Sequence, residues 1–296
     1  MSEADGTVIG LQKIADAGSP EQCWNMVVVS DGYTQAQMPK FASDAIAIRD
    51  RLLQEPPFDR PLIRDVINIY RLDVASAQQG ADKPNCGDGG GTGQRVNTYF
   101  DSTFCSDAKT ERLLYGNSAL AVRAVAAAMP QWHQIIVLVN DSERGGAGGN
   151  VAWFSNGGTD WREVAIHELG HSAFGLADEY DYGGPGHWPG GEPPEPNVSA
   201  MADPAQVKWR QLVNAPAGSP TRRNPNCAAS DPGPSGLPAG TIGTFEGAKY
   251  THCGAFRPSW NCMMRMTSAP FCAVCHDRIV QVMGRFAQVP GPGPGP

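Results

Sequence analysis

His167-Glu168-Leu169-Gly170-His171, continuing as Ser172-Ala173-Phe174-Gly175-Leu176-Ala177-Asp178-Glu179-Tyr180, constrains this chain more than any other stretch. Two histidines four positions apart share a target when the backbone between them is helical, because i and i+4 side chains then lie on one face about 5–6 Å apart. Imidazoles so placed reach a single tetrahedral Zn²⁺ at about 2.0–2.1 Å each. Glu168 lies about 100° further round the helix, where it serves as the general base of a zinc hydrolase rather than as a ligand beside the histidines. Asp160 with Glu163 three residues later has the capping-box pattern that opens a helix. Trp161, Val164, Ala165, Leu169 and Phe174 then recur at roughly helical spacing. Gly175, which takes the left-handed conformation at little cost, is expected to end the helix. A continuing helix would carry Asp178 about 10 Å along the axis from His171. A chain that turns at Gly175 brings Asp178 or Glu179 back to the metal.

Composition narrows the partners. The 296 residues, 41% of them hydrophobic, suffice for one large domain or two smaller ones. The net charge of −7, with no basic run, weighs against nucleic acid or an anionic membrane surface. No stretch approaches the roughly 18 apolar residues of a membrane span. The opening Met1-Ser2-Glu3-Ala4-Asp5-Gly6 lacks the charged start and apolar run of a signal peptide. The eight cysteines, an even number, fit disulfides and hence export, which favours an extracellular or periplasmic origin.

The periodicity is that of a mixed α/β chain. Residues 7–14 and 25–30 read as strands. Thr34, with Gln37 three residues on, caps a helix running to about Leu53, with Pro39 in its early turns. Val66–Val74 and Gln134–Asn140 are apolar on both faces, as in a covered parallel sheet. Asp107–Leu114 and Ser118–Met129 read as helices. The glycine-rich Cys86–Gly93 has neither the Lys nor the following helix of a phosphate loop and reads as a mobile loop. Gly145-Gly146-Ala147-Gly148-Gly149 leads into a short strand at Val151–Trp153, expected at a sheet edge where an extended peptide could pair. From Gly183 to Gly240 the composition shifts to Gly and Pro, with helix expected only at Pro204–Val213. Pro270–Phe286 reads as a helix, and a Gly-Pro tail follows Pro290. The expected organisation is a catalytic subdomain over 1–180, an irregular subdomain over 181–288 and a flexible tail over 289–296.

His-Glu-x-x-His with a downstream glycine, an acidic residue and a later methionine turn resembles the metzincin metallopeptidases. The fuller string His-Glu-Leu-Gly-His-x-x-x-Gly-Leu-x-Asp-Glu-Tyr is similar to the bacterial immunoglobulin A metallopeptidase family. Asp31-Gly32-Tyr33-Thr34, Arg112-Leu113-Leu114, Val139-Asn140-Asp141, Glu195-Pro196-Asn197-Val198, Lys208-Trp209, Arg257-Pro258, Asn261-Cys262-Met263-Met264 and Phe271-Cys272-x-x-Cys275 resemble stretches of that family in the same order. The resemblance implies a metzincin-like zincin core with a twisted mixed sheet, an active-site helix, and an irregular C-terminal subdomain ending in a helix. It implies a zinc-dependent peptidase acting on proteins or peptides, without implying that immunoglobulin A is the substrate. In metzincins the third ligand stands three residues after the glycine, a spacing that assigns Asp178 here; Glu179 is the alternative, as a ligand or as a support for His171 or Asp178. Glu192 or Glu195 would be the ligand if a second helix ran there. Met263 or Met264 would floor the metal, and Tyr180 could assist at the oxyanion, as could His187 or His252.

The cysteines Cys253, Cys262, Cys272 and Cys275 could hold a structural zinc, but the spacing C-x8-C-x9-C-x2-C is not that of a common finger and favours disulfides or free thiols. The expected chemistry is peptide hydrolysis, with Zn²⁺ on His167, His171 and Asp178 and Glu168 as the base. A non-catalytic zinc-containing binding protein and an exopeptidase are the alternatives.

Overall fold

The computed structural model describes residues 5–184, 186–233 and 236–287. The expected Gly-Pro tail lies outside them. The chain forms two compact units, one running to Ala173 and resuming at Met283, the other Phe174–Val282.

The first unit is built on a six-stranded sheet of order β1-β3-β2-β4-β6-β5. Its strands are β1 (Gly6–Ala15), β2 (Trp24–Asp31), β3 (Ile67–Ser76), β4 (Gln134–Val139), β5 (Gly146–Ala147) and β6 (Val151–Ser155). β3, β2, β4 and β6 run parallel, and β1 and β5 close the two edges antiparallel. Every residue of β2, β4 and β6 is buried, which is why these strands read as unbroken apolar runs rather than alternating ones. On one face Val27, Val29, Leu72, Val137 and Trp153 pack with Ala121 and Val125 of α3 (Ser118–Ala128). α1 (Met38–Gln54) buries Phe41, Ala45, Ile48 and Leu52, the single stripe expected of a helix lying on a core. Its lead-in is a 3-10 turn, Gln35–Gln37, where the Thr34 N–H donates to Gln37 Oε1 at 3.0 Å, as the capping-box pattern predicts. Pro39 falls at the start of α1, among the amides that have no acceptor within the helix, so its missing N–H costs little. α2 (Pro61–Arg64) is a single turn before β3.

Three expectations in this unit need correction. Asp107–Leu114 is not a helix. The Asp107 carboxylate accepts from the Lys109 and Thr110 amides at 2.9 and 2.7 Å, a local turn that competes with helix formation. The stretch then pairs at Leu113 with Gly146 of β5. The Cys86–Gly93 loop is tied down: Cys86 is bridged to Cys105, and the Gly91 amide donates to Glu111 Oε1 at 2.8 Å. Finally, Val151–Trp153 is not at the sheet edge. β5 pairs with Trp153 and Phe154, and the Gly146 amide in turn donates to the Arg112 carbonyl at 3.1 Å. Strand addition of a peptide at Trp153 is therefore blocked by β5.

α4 (Trp161–Phe174) carries the histidine motif and stops where expected, with Gly175 at φ 65°. A substituted residue there would meet no neighbour within 4 Å, so the glycine answers to backbone conformation alone.

In the second unit regular structure is sparse. β7 (Phe245–Ala248) and β8 (Thr251–Arg257) form a hairpin, and α5 (Ala273–Ala287) starts within the unit. The helix expected at Pro204–Val213 is only a 3-10 turn, Arg210–Leu212. Trp209 is nonetheless fully buried, its Nε1–H donating to the Gly243 carbonyl at 2.8 Å. Cys227–Cys253 is a disulfide, which removes Cys253 from the four-cysteine site considered above.

Candidate metal centre

α4 sets His167 and His171 with their Nε2 atoms 3.1 Å apart and their rings nearly perpendicular, at 87°. Two nitrogens bound to one tetrahedral zinc at about 2.0–2.1 Å would stand about 3.3 Å from each other. The imidazoles already hold nearly that spacing. His167 and Glu168 are buried, at 9% and 7% exposure.

The glycine run of β5 is part of this arrangement. A Cβ on Gly146 would fall 2.7 Å from Glu168 Oε1, and one on Gly148 would fall 2.4 Å from His171 Cβ. The backbone of Gly146 and Gly148 thus passes directly against Glu168 and His171, and only hydrogen fits at those positions. Tyr115 donates its hydroxyl to the Gly148 carbonyl, fixing the same segment from the other side. Burial, and secondarily the Glu168 charge, raises the Tyr115 phenol above its ordinary range and keeps it a donor.

In the second unit Asp178 is buried and accepts a hydrogen bond from Tyr250 Oη at 2.5 Å. Burial first, and then the Asp178 charge, pushes the Tyr250 phenol far up, so it remains protonated. Lys249 and Tyr250 make the two-residue turn between β7 and β8 with φ of 48° and 68°, a left-handed pair normally filled by Asn or Gly. Both side chains have work that Gly could not do: Lys249 Nζ binds Glu195 Oε1 at 2.6 Å, and Tyr250 holds Asp178. The Lys249 amide also donates to the Asp178 carbonyl at 3.1 Å. Tyr180 stacks on Tyr182 at 4.6 Å and meets Tyr250 edge-on at 5.2 Å.

Glu179, the alternative ligand, is fully buried and serves another group. Its Oε1 accepts from Asn197 Nδ2 at 2.9 Å and lies 3.6 Å from Cys275 Sγ. Asn197 also exchanges hydrogen bonds with both backbone groups of Ala177, at 2.8 and 2.9 Å, and so clamps the segment that carries Asp178. Asn197, Val198 and Ser199 are all buried. Glu192 and Glu195 lie in a stretch without helix; Glu192 is engaged by Lys208 at 3.0 Å, and Glu195 by Lys249 as above. His187 is exposed beside the Cys227–Cys253 disulfide, and His252 Nδ1 stands 3.9 Å from Asp181. Met263 and Met264 are both buried, and the Met264 carbonyl accepts the Glu179 amide at 2.7 Å.

Sequence reasoning missed Tyr250, Tyr115 and the role of Asn197. The glycine run gave a signal of close approach, but what approaches is the motif's own side chains. Tyr250 gave none, because a Lys-Tyr turn carries no recognisable turn chemistry. A family model described as IgA Peptidase M64 matches residues 12–227 and 236–283. No curated protein matches the chain.

Proposed function

The chain belongs to the IgA Peptidase M64 family, and on that footing we propose that it is a zinc metallopeptidase with His167, His171 and Asp178 as ligands and Glu168 as general base. The observation that carries this reading is the facing pair of imidazole nitrogens, 3.1 Å apart, with a buried glutamate next in sequence and with Gly146 and Gly148 closely against Glu168 and His171. The donor set fits zinc: two neutral imidazoles and one carboxylate are ordinary ligands of a catalytic site. Zinc, when bound, supplies Lewis acidity toward oxygen.

The remaining chemistry falls to the chain's own residues. Glu168 removes a proton from the attacking water as it adds to the scissile carbonyl, and passes it to the leaving amine. Tyr250 holds Asp178 in one orientation by its hydrogen bond, as partners of ligating carboxylates do. The fixed β5 backbone confines Glu168, so the carboxylate does not swing away from the histidines. Endopeptidase action is part of the proposal.

The test uses the full chain with measured zinc, on casein and on a peptide blocked at its N-terminus. Cleavage of both, abolished by a chelator and restored by zinc, is expected. Undiminished hydrolysis by Glu168→Gln, or hydrolysis indifferent to chelation, overturns the mechanism. Bound zinc without hydrolysis favours the binding-protein reading, and failure on the blocked peptide alone favours an aminopeptidase.

A further inference from the structure

The second unit gathers three cysteines and a glutamate in a buried cluster. Cys262, Cys275 and Glu179 have no exposed surface, and Cys272 has 8%. Cys262 Sγ lies 3.6 Å from Cys275 Sγ, Cys272 Sγ 3.7 Å from Cys275 Sγ, and Glu179 Oε1 3.6 Å from Cys275 Sγ. All four donor atoms lie within 4.8 Å of one another. A disulfide would need sulfurs at about 2.0 Å and would leave one of the three cysteines over. Thiolates on one tetrahedral zinc at about 2.3 Å stand about 3.8 Å apart, close to the spacings found.

The surroundings suit a cation. Glu179 Oε2 is buried with no hydrogen-bond partner, an orphaned acceptor that a metal would satisfy. The Cys272 amide donates to Cys262 Sγ at 3.3 Å. Cys272 and Cys275 stand at the start of α5, where the helix dipole favours negative sulfur. Three thiolates and a carboxylate around Zn²⁺ leave an excess of two negative charges. The guanidiniums of Arg257, itself fully buried, and of Arg265 act on Glu179 from nearby.

We propose that Cys262, Cys272, Cys275 and Glu179 bind a second, structural zinc, with the three thiols releasing their protons on binding. Its consequence is positional. Glu179 follows Asp178 directly, and the Glu179 amide is bonded to the Met264 carbonyl at 2.7 Å, so the metal ties together the carboxylate segment, the methionine turn and the start of α5. The inference does not depend on the catalytic reading, because it draws on none of the histidines.

Zinc content of the purified full chain, handled under reducing conditions, tests it. Wild type is expected to hold two zinc ions per chain, His167→Ala/His171→Ala one, and Cys272→Ser one fewer than wild type. If the catalytic reading fails while this one stands, wild type and the double histidine variant both hold one. Should Cys272→Ser not fold, cobalt loading of the double histidine variant decides: a thiolate-to-cobalt charge-transfer band is expected, and it should survive Glu179→Cys. A double histidine variant without zinc and without that band overturns the proposal. So does a disulfide among these three cysteines in the non-reduced native protein.

Discussion

The two units are specified by different physics. In the sheet unit, β2, β4 and β6 are wholly buried and the packing against α3 is apolar throughout. In the unit from Phe174 to Val282 one apolar cluster gathers Ala177, Val198, Ala248 and Ala255 with Trp188, and Trp209, Phe245, Phe256 and Met264 are buried as well. Polar side chains satisfying backbone are added to that apolar packing there. Lys208 Nζ donates to the carbonyls of Pro193, Glu195 and Val198. Asn197 clamps Ala177, and Arg257, Arg222 and Arg265 gather over the Trp260 ring at 4.9, 4.9 and 4.7 Å. Burial by volume makes a unit tolerant of similar apolar replacements; burial by matched hydrogen bonds makes it intolerant of any change in donor or acceptor.

Substitutions can break this contrast, and the largest effect is expected at Glu168, the proposed base. Glu168→Gln should lower turnover by about 10²–10⁴-fold while zinc content stays at the wild-type value, measured by peptide hydrolysis and metal analysis together. Next is core volume in the sheet unit: Leu72→Ala should cost about 2–5 kcal/mol in urea unfolding, whereas Leu72→Met should cost less than about 1.5 kcal/mol. Equal costs for the two would show that volume is not what holds this unit. Tyr250→Phe removes the hydrogen bond to Asp178 and should weaken zinc binding about 10–100-fold by chelator competition, with turnover of the zinc-saturated enzyme less affected. A fall in saturated turnover with affinity unchanged would move Tyr250 from positioning to catalysis. The smallest effect is expected at Asn197, where Ala orphans the buried Ala177 groups and costs about 1–3 kcal/mol. Asn197→Asp, which keeps the acceptor and loses the donors, should not rescue it. If it did, the clamp would rest on the acceptor alone.

The same contrast explains what could be read in advance. Strands such as Met26–Val29 and Ile135–Val139 announce themselves because burial on both faces demands consecutive apolar residues. α4 was legible from its start to Gly175 because spacing, periodicity and break all answer to helix geometry. Asp107–Leu114 misled because its composition suits a helix, while Asp107 bonds to the Lys109 and Thr110 amides instead. His167, Glu168 and His171 were visible as a local pattern, and Asp178 only through the break and the family string. Tyr250 stands 72 residues from Asp178, and no local pattern encodes a partnership at that distance. Glu179's company with Cys262, Cys272 and Cys275 was hidden for the same reason, since its partners become neighbours only through the fold.

The sheet unit is interrupted in sequence: it stops at Ala173 and resumes at Met283, where Phe286 sets its ring edge-on to His133 at 4.8 Å. During synthesis, everything from Phe174 to Val282 leaves the ribosome before the residues that complete the earlier unit. A nascent chain halted just after the histidine motif holds His167, Glu168 and His171, but not Asp178, the Cys262, Cys272 and Cys275 cluster or the closing helix. A peptidase put together in that order is expected to stay silent until Met283 and the residues that follow it have emerged.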